Sequence, residues 1–305
     1  MPKQPAPLTG LAIGDALGMP FETETPLSTR LASWSGGYEA SSYHRLKPGQ
    51  FTDDTQMSMA LATSLIRYKF YDPGDASKAY LSWFTSGDCR GIGTSTRQAM
   101  ERLAHGHEWY SSGIDGAEGN GSAMRIAPLG LFHCRGTERL GAAAHWARID
   151  SAITHKSEEA KEGSAAMAVA VSHLSSGGSK DDLLQAVMSH TEKSRTRYAL
   201  EDIYRAIRRG DTFREVVTGK DWLLSGVGAH VVQTVPAAFV MFLYGENFPD
   251  TIRNAIRMGG DTDTTAAMTG ALAGAYYGFE AIPKDLLKGL EKASDIRLLE
   301  TAIAK

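Results

Sequence analysis

The chain has 305 residues and a mass of 32.9 kDa, enough to bury a large core in one or two domains. A formal net charge of -3 and a pI near 6.3 supply none of the long-range attraction that nonspecific nucleic-acid binding depends on, which argues against nucleic acid as a main partner. Cys89 and Cys134 are the only cysteines, too few for a disulfide framework and consistent with a reducing compartment.

In chain order, Leu8 to Leu17 is apolar and small, but Asp15 and the glycines interrupt any signal-like run, so secretion is disfavoured and the cytoplasm expected. Gly18-Met19-Pro20-Phe21-Glu22 then breaks any helix and projects the Glu22 carboxylate from a turn. From there to Gln50 the chain is rich in Ser, Gly and Thr and reads as a long loop, of the length that often serves as a functional lid. Met57, Leu61, Leu65 and Tyr68 share a broad apolar helix face, with Asp53 or Asp54 where an N-cap belongs. Helical character continues over Ala79 to Phe84; a turn at Gly87 to Gly93 precedes a helix from about Ser95 to Leu103. Gly113 to Ser122 is a loop holding four glycines.

Leu140 to Ala152 reads as a helix, interrupted at Thr154-His155-Lys156-Ser157 before Glu158 and Glu159 open the next, where acids complement the positive helix end. Ser175 to Ser179 is a linker by composition, and Ser179 to Asp182 has the form of a capping box. Arg195 to Arg209 reads as a solvated helix face. The most apolar window, Val227 to Tyr244, contains His230, Gln233 and Pro236; it falls short of a membrane span and reads as a buried helix. Pro249-Asp250 caps the helix leading to Gly259, and Ile282 to Asp285 starts a final amphipathic one. With no alternating strand patterns, the expectation is an all-α helical bundle.

Two stretches carry chemistry, Thr52-Asp53-Asp54-Thr55 and Gly259-Gly260-Asp261-Thr262-Asp263-Thr264. Alone, either reads as a helix cap. Capping needs one short polar residue per helix, however, whereas each stretch pairs acids with hydroxyls, and Gly259-Gly260 lets backbone approach closely. Thr52, Asp53, Asp54, Asp261, Asp263 and Thr264 are hard oxygen donors of the type taken by Mg²⁺, Mn²⁺ or Ca²⁺. Four crowded carboxylates repel, and two divalent cations roughly 3.5–4 Å apart would cancel their formal charge. Gly119-Asn120-Gly121-Ser122 could present backbone N–H groups to a phosphate, or be an ordinary turn. His155 could contact a phosphate or sugar, or be satisfied by local backbone; Glu22 is a site carboxylate or a surface acid.

Together these residues resemble the ADP-ribosylglycohydrolase family. The resemblance rests on Gly14-Asp15-Ala16-Leu17-Gly18 with Glu22, Thr52 to Thr55, Gly119-Asn120-Gly121-Ser122-Ala123-Met124-Arg125, Thr154-His155 and Gly259 to Thr264, in family order over nearly the whole chain. It implies a compact orthogonal all-α fold forming one domain over residues 1–305, and a dinuclear Mg²⁺ or Mn²⁺ centre with Thr52, Asp53, Asp54, Asp261, Asp263 and Thr264 as ligands. It further implies that Asn120, Gly121, Ser122, Met124 and His155 line an ADP-ribose groove, and that Glu22 lies on a mobile loop near the metals. The implied reaction releases ADP-ribose from a modified protein through an oxocarbenium-like transition state, with Glu22, Asp54 or Asp263 handling the proton.

Members acting on ADP-ribosyl-arginine often carry Asp-Ile-Gly where this chain has Gly91-Ile92-Gly93, with Asp88 three residues earlier as a candidate acceptor contact. Arginine linkage is the first expectation; a serine linkage or a small ADP-ribose derivative stays open. So do a non-catalytic ADP-ribose-binding protein and a phosphohydrolase releasing AMP. A monomer with no membrane association is expected.

Overall fold

A computed structural model describes residues 3–218 and 225–305; among them the chain is helical, with four isolated bridges and no sheet. The all-α expectation holds. One contiguous set of buried side chains runs from Ala6 to Ile303, and no described helix is long and apolar enough to cross a membrane.

At the centre, the N-terminal helix Pro7–Gly18 lies along Thr262–Tyr277. Every residue of the first is buried, as is the second from Thr262 to Ala275. Small side chains permit this contact. A Cβ on Gly10 would sit 2.2 Å from the Gly270 carbonyl oxygen, one on Gly14 2.0 Å from that of Ala266, and one on Gly18 2.3 Å from that of Thr262. A methyl group at any of them would force the helices apart. The seam carries Glu22, just past Gly18, to the start of the acidic helix, where the Thr262 hydroxyl donates to the Gly18 carbonyl at 2.8 Å.

Buried carboxylates cap three helices from distant parts of the chain. Glu300 accepts from the N–H groups of Leu8 and Thr9, and Glu159 from those of Arg195 and Thr196. Asp15, wholly buried, accepts the Thr52 N–H at 2.9 Å and hydroxyl at 2.8 Å, and the Thr55 N–H at 3.0 Å and hydroxyl at 2.6 Å. An anion there satisfies orphan donors and complements the helix dipole. This corrects the expected cap of helix Asp53–Tyr68. Asp53 and Asp54 lie inside its first turn, Thr52 at the cap position makes no side-chain cap bond, and Asp15 supplies the cap. The two acids are thereby released for the site.

Other local expectations shift. The helix after Asn247 is capped by that residue, whose side chain accepts the Asp250 N–H at 2.9 Å. The apolar window becomes helix only from Val231 to Tyr244; ahead of it Val227 bridges to Gly260 and His230 to Gly119. The C-terminal segment forms two helices, Lys284–Gly289 and Ala293–Ile303. The lid segment is not a bare loop: it holds a short helix, Thr29–Ser33, and a bridge between Ser41 and Leu46. Arg30 ties it down, donating to the Pro20 carbonyl at 2.8 Å and to Glu39 at 3.2 Å. One half of the capping box forms, with Ser179 accepting the Asp182 N–H at 3.1 Å, while the Asp182 carboxylate lies 2.8 Å from the Ser179 hydroxyl and not on its N–H.

Candidate active site

The second acidic turn is built on two left-handed glycines, Gly259 at φ 65° and Gly260 at φ 81°. Both are wedged between backbones: a Cβ on Gly259 would lie 2.5 Å from the Glu24 carbonyl oxygen, and one on Gly260 2.2 Å from that of Val227. Thr23 N–H donates to the Gly260 carbonyl at 2.8 Å, and Gly260 N–H to that of Glu24 at 2.7 Å, which fixes the chain on the far side of Glu22. From the other flank, Val227 N–H reaches the Gly259 carbonyl at 3.1 Å and Asp261 N–H the Val227 carbonyl at 2.7 Å. Only glycine fits both the conformation and the space.

This turn meets the first acidic helix. The Thr264 and Thr52 hydroxyls both approach Asp54 Oδ2, at 3.4 and 3.2 Å, while Asp54 Oδ1 is buried with no partner. Burial, then the charges of Asp15 and Asp53, raises the Asp54 carboxyl well above the usual range. Burial followed by Glu22 and Asp261 does the same to Asp263. Asp53 is pushed up to about 7, by burial and then by Asp15. Buried, mutually repelling carboxylates with an orphaned oxygen and neighbouring hydroxyls fit a divalent cation held by oxygen ligands.

Glu22 and His44 close one side. His44 Nε2 makes a close contact with Glu22 Oε2 and lies 3.8 Å from Asp263 Oδ2. One ligand atom from each of Glu22, His44 and Asp263 falls within 4.8 Å of the other two, a spacing that could also hold a cation. A lone histidine in a long irregular segment carries no periodic or motif signal, so His44 is invisible in the sequence.

The opposite wall comes from the Gly119 to Arg125 turn and His155. Asn120 donates to Asp261 Oδ2 at 2.6 Å, so it orients a carboxylate as well as lining the cleft. Its N–H is taken by the Ala229 carbonyl at 3.0 Å, and its own carbonyl accepts from Ala123 and Met124. Gly121, Met124 and His155 also line the cleft, which encloses about 240 Å³. Ser122 does not: its side chain is wholly buried and accepts hydroxyls from Ser151 and Ser164, each at 2.9 Å. Asp88 is likewise outside the cleft, on an exposed turn where it pairs with Arg90 at 2.8 Å. Arg90 in turn holds Glu291 at 2.6 Å, which pins the turn leading to Gly91 and Gly93 at the cleft edge.

The family model for ADP-ribosylglycohydrolase matches residues 6–305. The chain belongs to the ADP-ribosylglycohydrolase family. Members are hydrolases of glycosidic bonds to ADP-ribose, and this chain is such an enzyme. It is 31% identical to the ADP-ribosylarginine hydrolase Tri1 of Serratia proteamaculans over 93% of this chain and 74% of that one. It is 29% identical to the ADP-ribosyl-[dinitrogen reductase] glycohydrolase of Rhodospirillum rubrum, over 92% and 88%. A solved ADP-ribosylglycohydrolase-related protein complex superposes with a TM-score of 0.79 at 31% identity, covering 98% of this chain and 95% of that one.

Within this family fold, Arg125 is a buried anchor whose role no local pattern in the sequence reveals. It is wholly buried, bonds to Asp150 Oδ2 at 3.0 Å and lies over the Tyr80 ring at 4.5 Å. It also donates to the Gly121 carbonyl at 3.2 Å and to the Thr154 hydroxyl at 2.8 Å, joining the two halves of the wall.

Proposed function

We propose that this enzyme removes ADP-ribose from modified proteins, with an arginine-linked acceptor as first choice, using two divalent cations, Mg²⁺ or Mn²⁺. Thr52, Asp53, Asp54, Asp261, Asp263 and Thr264 would hold them. The observation that carries this is the buried, unpartnered Asp54 Oδ1 at the centre of a carboxylate cluster that two distant segments build together. When bound, the cations supply compensating charge, anchor points for ribose hydroxyls and a water of lowered pKa.

The chain's own residues divide the remaining work. Glu22, held in the cleft by His44, is the first candidate to carry the proton between water and leaving group, with Asp54 and Asp263 as alternatives. Glu22, the acid in the cleft outside the proposed ligand set, favours the positive charge that develops on the ribose at the transition state, and suits a guanidinium acceptor as well. On the far wall, Asn120, Gly121, Met124 and His155 would receive the rest of the ADP-ribose, with Ser122 bracing the turn from behind through its bonds to Ser151 and Ser164. Thr94, Ser95 and Thr96 line the same cleft and would flank the ligand there.

A hydroxyl-linked acceptor is the second reading, because Gly91 brings no side chain to the cleft beside Asp53 and the Asp88 carboxylate is engaged by Arg90. A single-domain monomer in the cytoplasm completes the proposal, supported by the continuous core and two free cysteines. Mass analysis of products tests it. Incubation with ADP-ribosylated arginine or serine peptides and Mg²⁺ should release intact ADP-ribose, lost on chelation and in Asp261→Ala. AMP as product, or full activity in Asp261→Ala, would overturn the reading.

A further inference from the structure

We infer that Arg125, acting through the Thr154 hydroxyl, locks His155 in the tautomer with its proton on Nε2, so that the ring offers the cleft one fixed hydrogen-bond donor. This rests on the proposed ADP-ribose reading only for the ligand that meets the donor. The lock itself follows from hydrogen-bond accounting.

A guanidinium can only donate. Arg125 places one N–H 2.8 Å from Thr154 Oγ1, and three further N–H groups go to the Asp150 carboxylate, the Asp150 carbonyl and the Gly121 carbonyl. The Thr154 hydroxyl therefore accepts from Arg125 and keeps a single hydrogen to give. His155 Nδ1, 2.8 Å away, is the acceptor in reach, and Thr154 is wholly buried, so no water takes that hydrogen instead. Were the ring proton on Nδ1, two hydrogens would face one another across this bond or the hydroxyl would be buried unsatisfied. Nδ1 is thus a bare acceptor and Nε2 carries the proton.

The ring is also neutral. Burial, reinforced by the Arg125 charge, lowers its pKa to about 3. The other charged groups near it are Asp150, which is bound to Arg125, the surface pair Lys156 and Asp115, and the acids lining the cleft. Nε2 meets no protein partner among the described residues, and the ring edge lies beside Gly119 and Gly121. A Cβ on Gly119 would stand 3.3 Å from Nε2, and one on Gly121 2.9 Å from Cε1, so glycine at both keeps the donor uncovered. The backbone is clamped too: His155 N–H donates to the Ser151 carbonyl at 2.7 Å, and Lys156 N–H to that of Ile114 at 3.1 Å. A neutral, immobile N–H in a cleft selects a ligand acceptor such as a phosphate or sugar oxygen and gives nothing to a cationic group. Arg125 and Thr154 are positioning residues, since neither reaches the cleft through its own polar atoms.

The test is nitrogen NMR of the full chain labelled at histidine, at neutral pH, where protonated and bare ring nitrogens resonate far apart. The wild-type His155 signals should show Nε2–H alone. Thr154→Ser should keep that pattern, whereas Thr154→Val should populate Nδ1–H and weaken ADP-ribose binding roughly two- to tenfold. An Nδ1–H ring in the wild type overturns the inference, and so does an unchanged Nε2–H ring in a folded Thr154→Val. Should Thr154→Val not fold, the wild-type spectrum still decides. An Nε2–H ring in a protein that does not bind ADP-ribose supports the lock and sinks the substrate reading instead.

Discussion

Thr264 donates its hydroxyl to Asp54 Oδ2 at 3.4 Å across 210 residues of sequence. This contact joins the two acidic turns into one cluster, whose carboxyl pKa values are raised by burial and then by the neighbouring acids, an environment that a bound cation would relieve. Mn²⁺ or Mg²⁺ at a hundredfold excess over its Kd should therefore stabilise the chelator-treated protein by about 2.7 kcal/mol for each site filled. Asp54→Asn should lose that response while its metal-free Tm stays level or rises, because a buried, repelled carboxylate has been removed. Thermal melts with and without cation check this; a metal shift surviving in Asp54→Asn would contradict it.

The helix seam gives a contrast between two glycines. Gly14→Ala sets a methyl 2.0 Å from the Ala266 carbonyl oxygen and should cost at least about 1–3 kcal/mol. Gly141, exposed in helix Arg139–Ala152, has nothing within 4 Å of its would-be Cβ, so Gly141→Ala should gain up to about 1 kcal/mol. Urea midpoints at unchanged m would read both.

His155 should make the fold acid-sensitive. Its folded pKa, about 3, lies below the ordinary 6.5, so between these values the unfolded chain binds a proton that the folded one does not. Stability contributed by this group is intact above pH 6.5 and falls with acid, by about 1.4 kcal/mol per pH unit at full slope. His155→Gln removes that slope. The stability difference between wild type and variant, followed by urea unfolding from pH 7 to 4, should move in the variant's favour; a flat difference would exclude the buried neutral ring.

Asp88 separates two readings of the cleft edge. It is exposed and bonded to Arg90, which keeps Glu291 as a second partner. Asp88→Asn should then change stability by less than about 0.5 kcal/mol and KM for an ADP-ribosylated peptide less than twofold. A tenfold rise in KM would mean that the carboxylate leaves Arg90 to meet the acceptor.

Much of this is legible in the sequence. The 3.6-residue apolar spacing marks the helix from Asp53, glycines and prolines mark the turns at Gly18 to Glu22 and Gly87 to Gly93, and residue type alone identifies Thr52 to Asp54 and Asp261 to Thr264 as oxygen donors. These signals are local, and each depends on neighbours within a turn or two. Partners were illegible. Asp53 and Asp54 look like caps because sequence shows a cap position but not Asp15, which reaches it from another helix. Ser122 and Asp88 look like ligand contacts because the motif does not reveal that hydroxyls and Arg90 already occupy them.

By itself, then, the sequence determined the helices, the chemical character of the two acidic turns and their place in the family pattern, because propensity, periodicity and side-chain chemistry act over short range. The pairing of the two turns was expected from their chemistry, but only tertiary structure decided through which atoms they meet, that His44 holds Glu22, and that Arg125 reaches His155 through Thr154. Each of those depends on how closely helices approach, and that was settled by a row of glycines whose missing side chains let Pro7–Gly18 lie against Thr262–Tyr277.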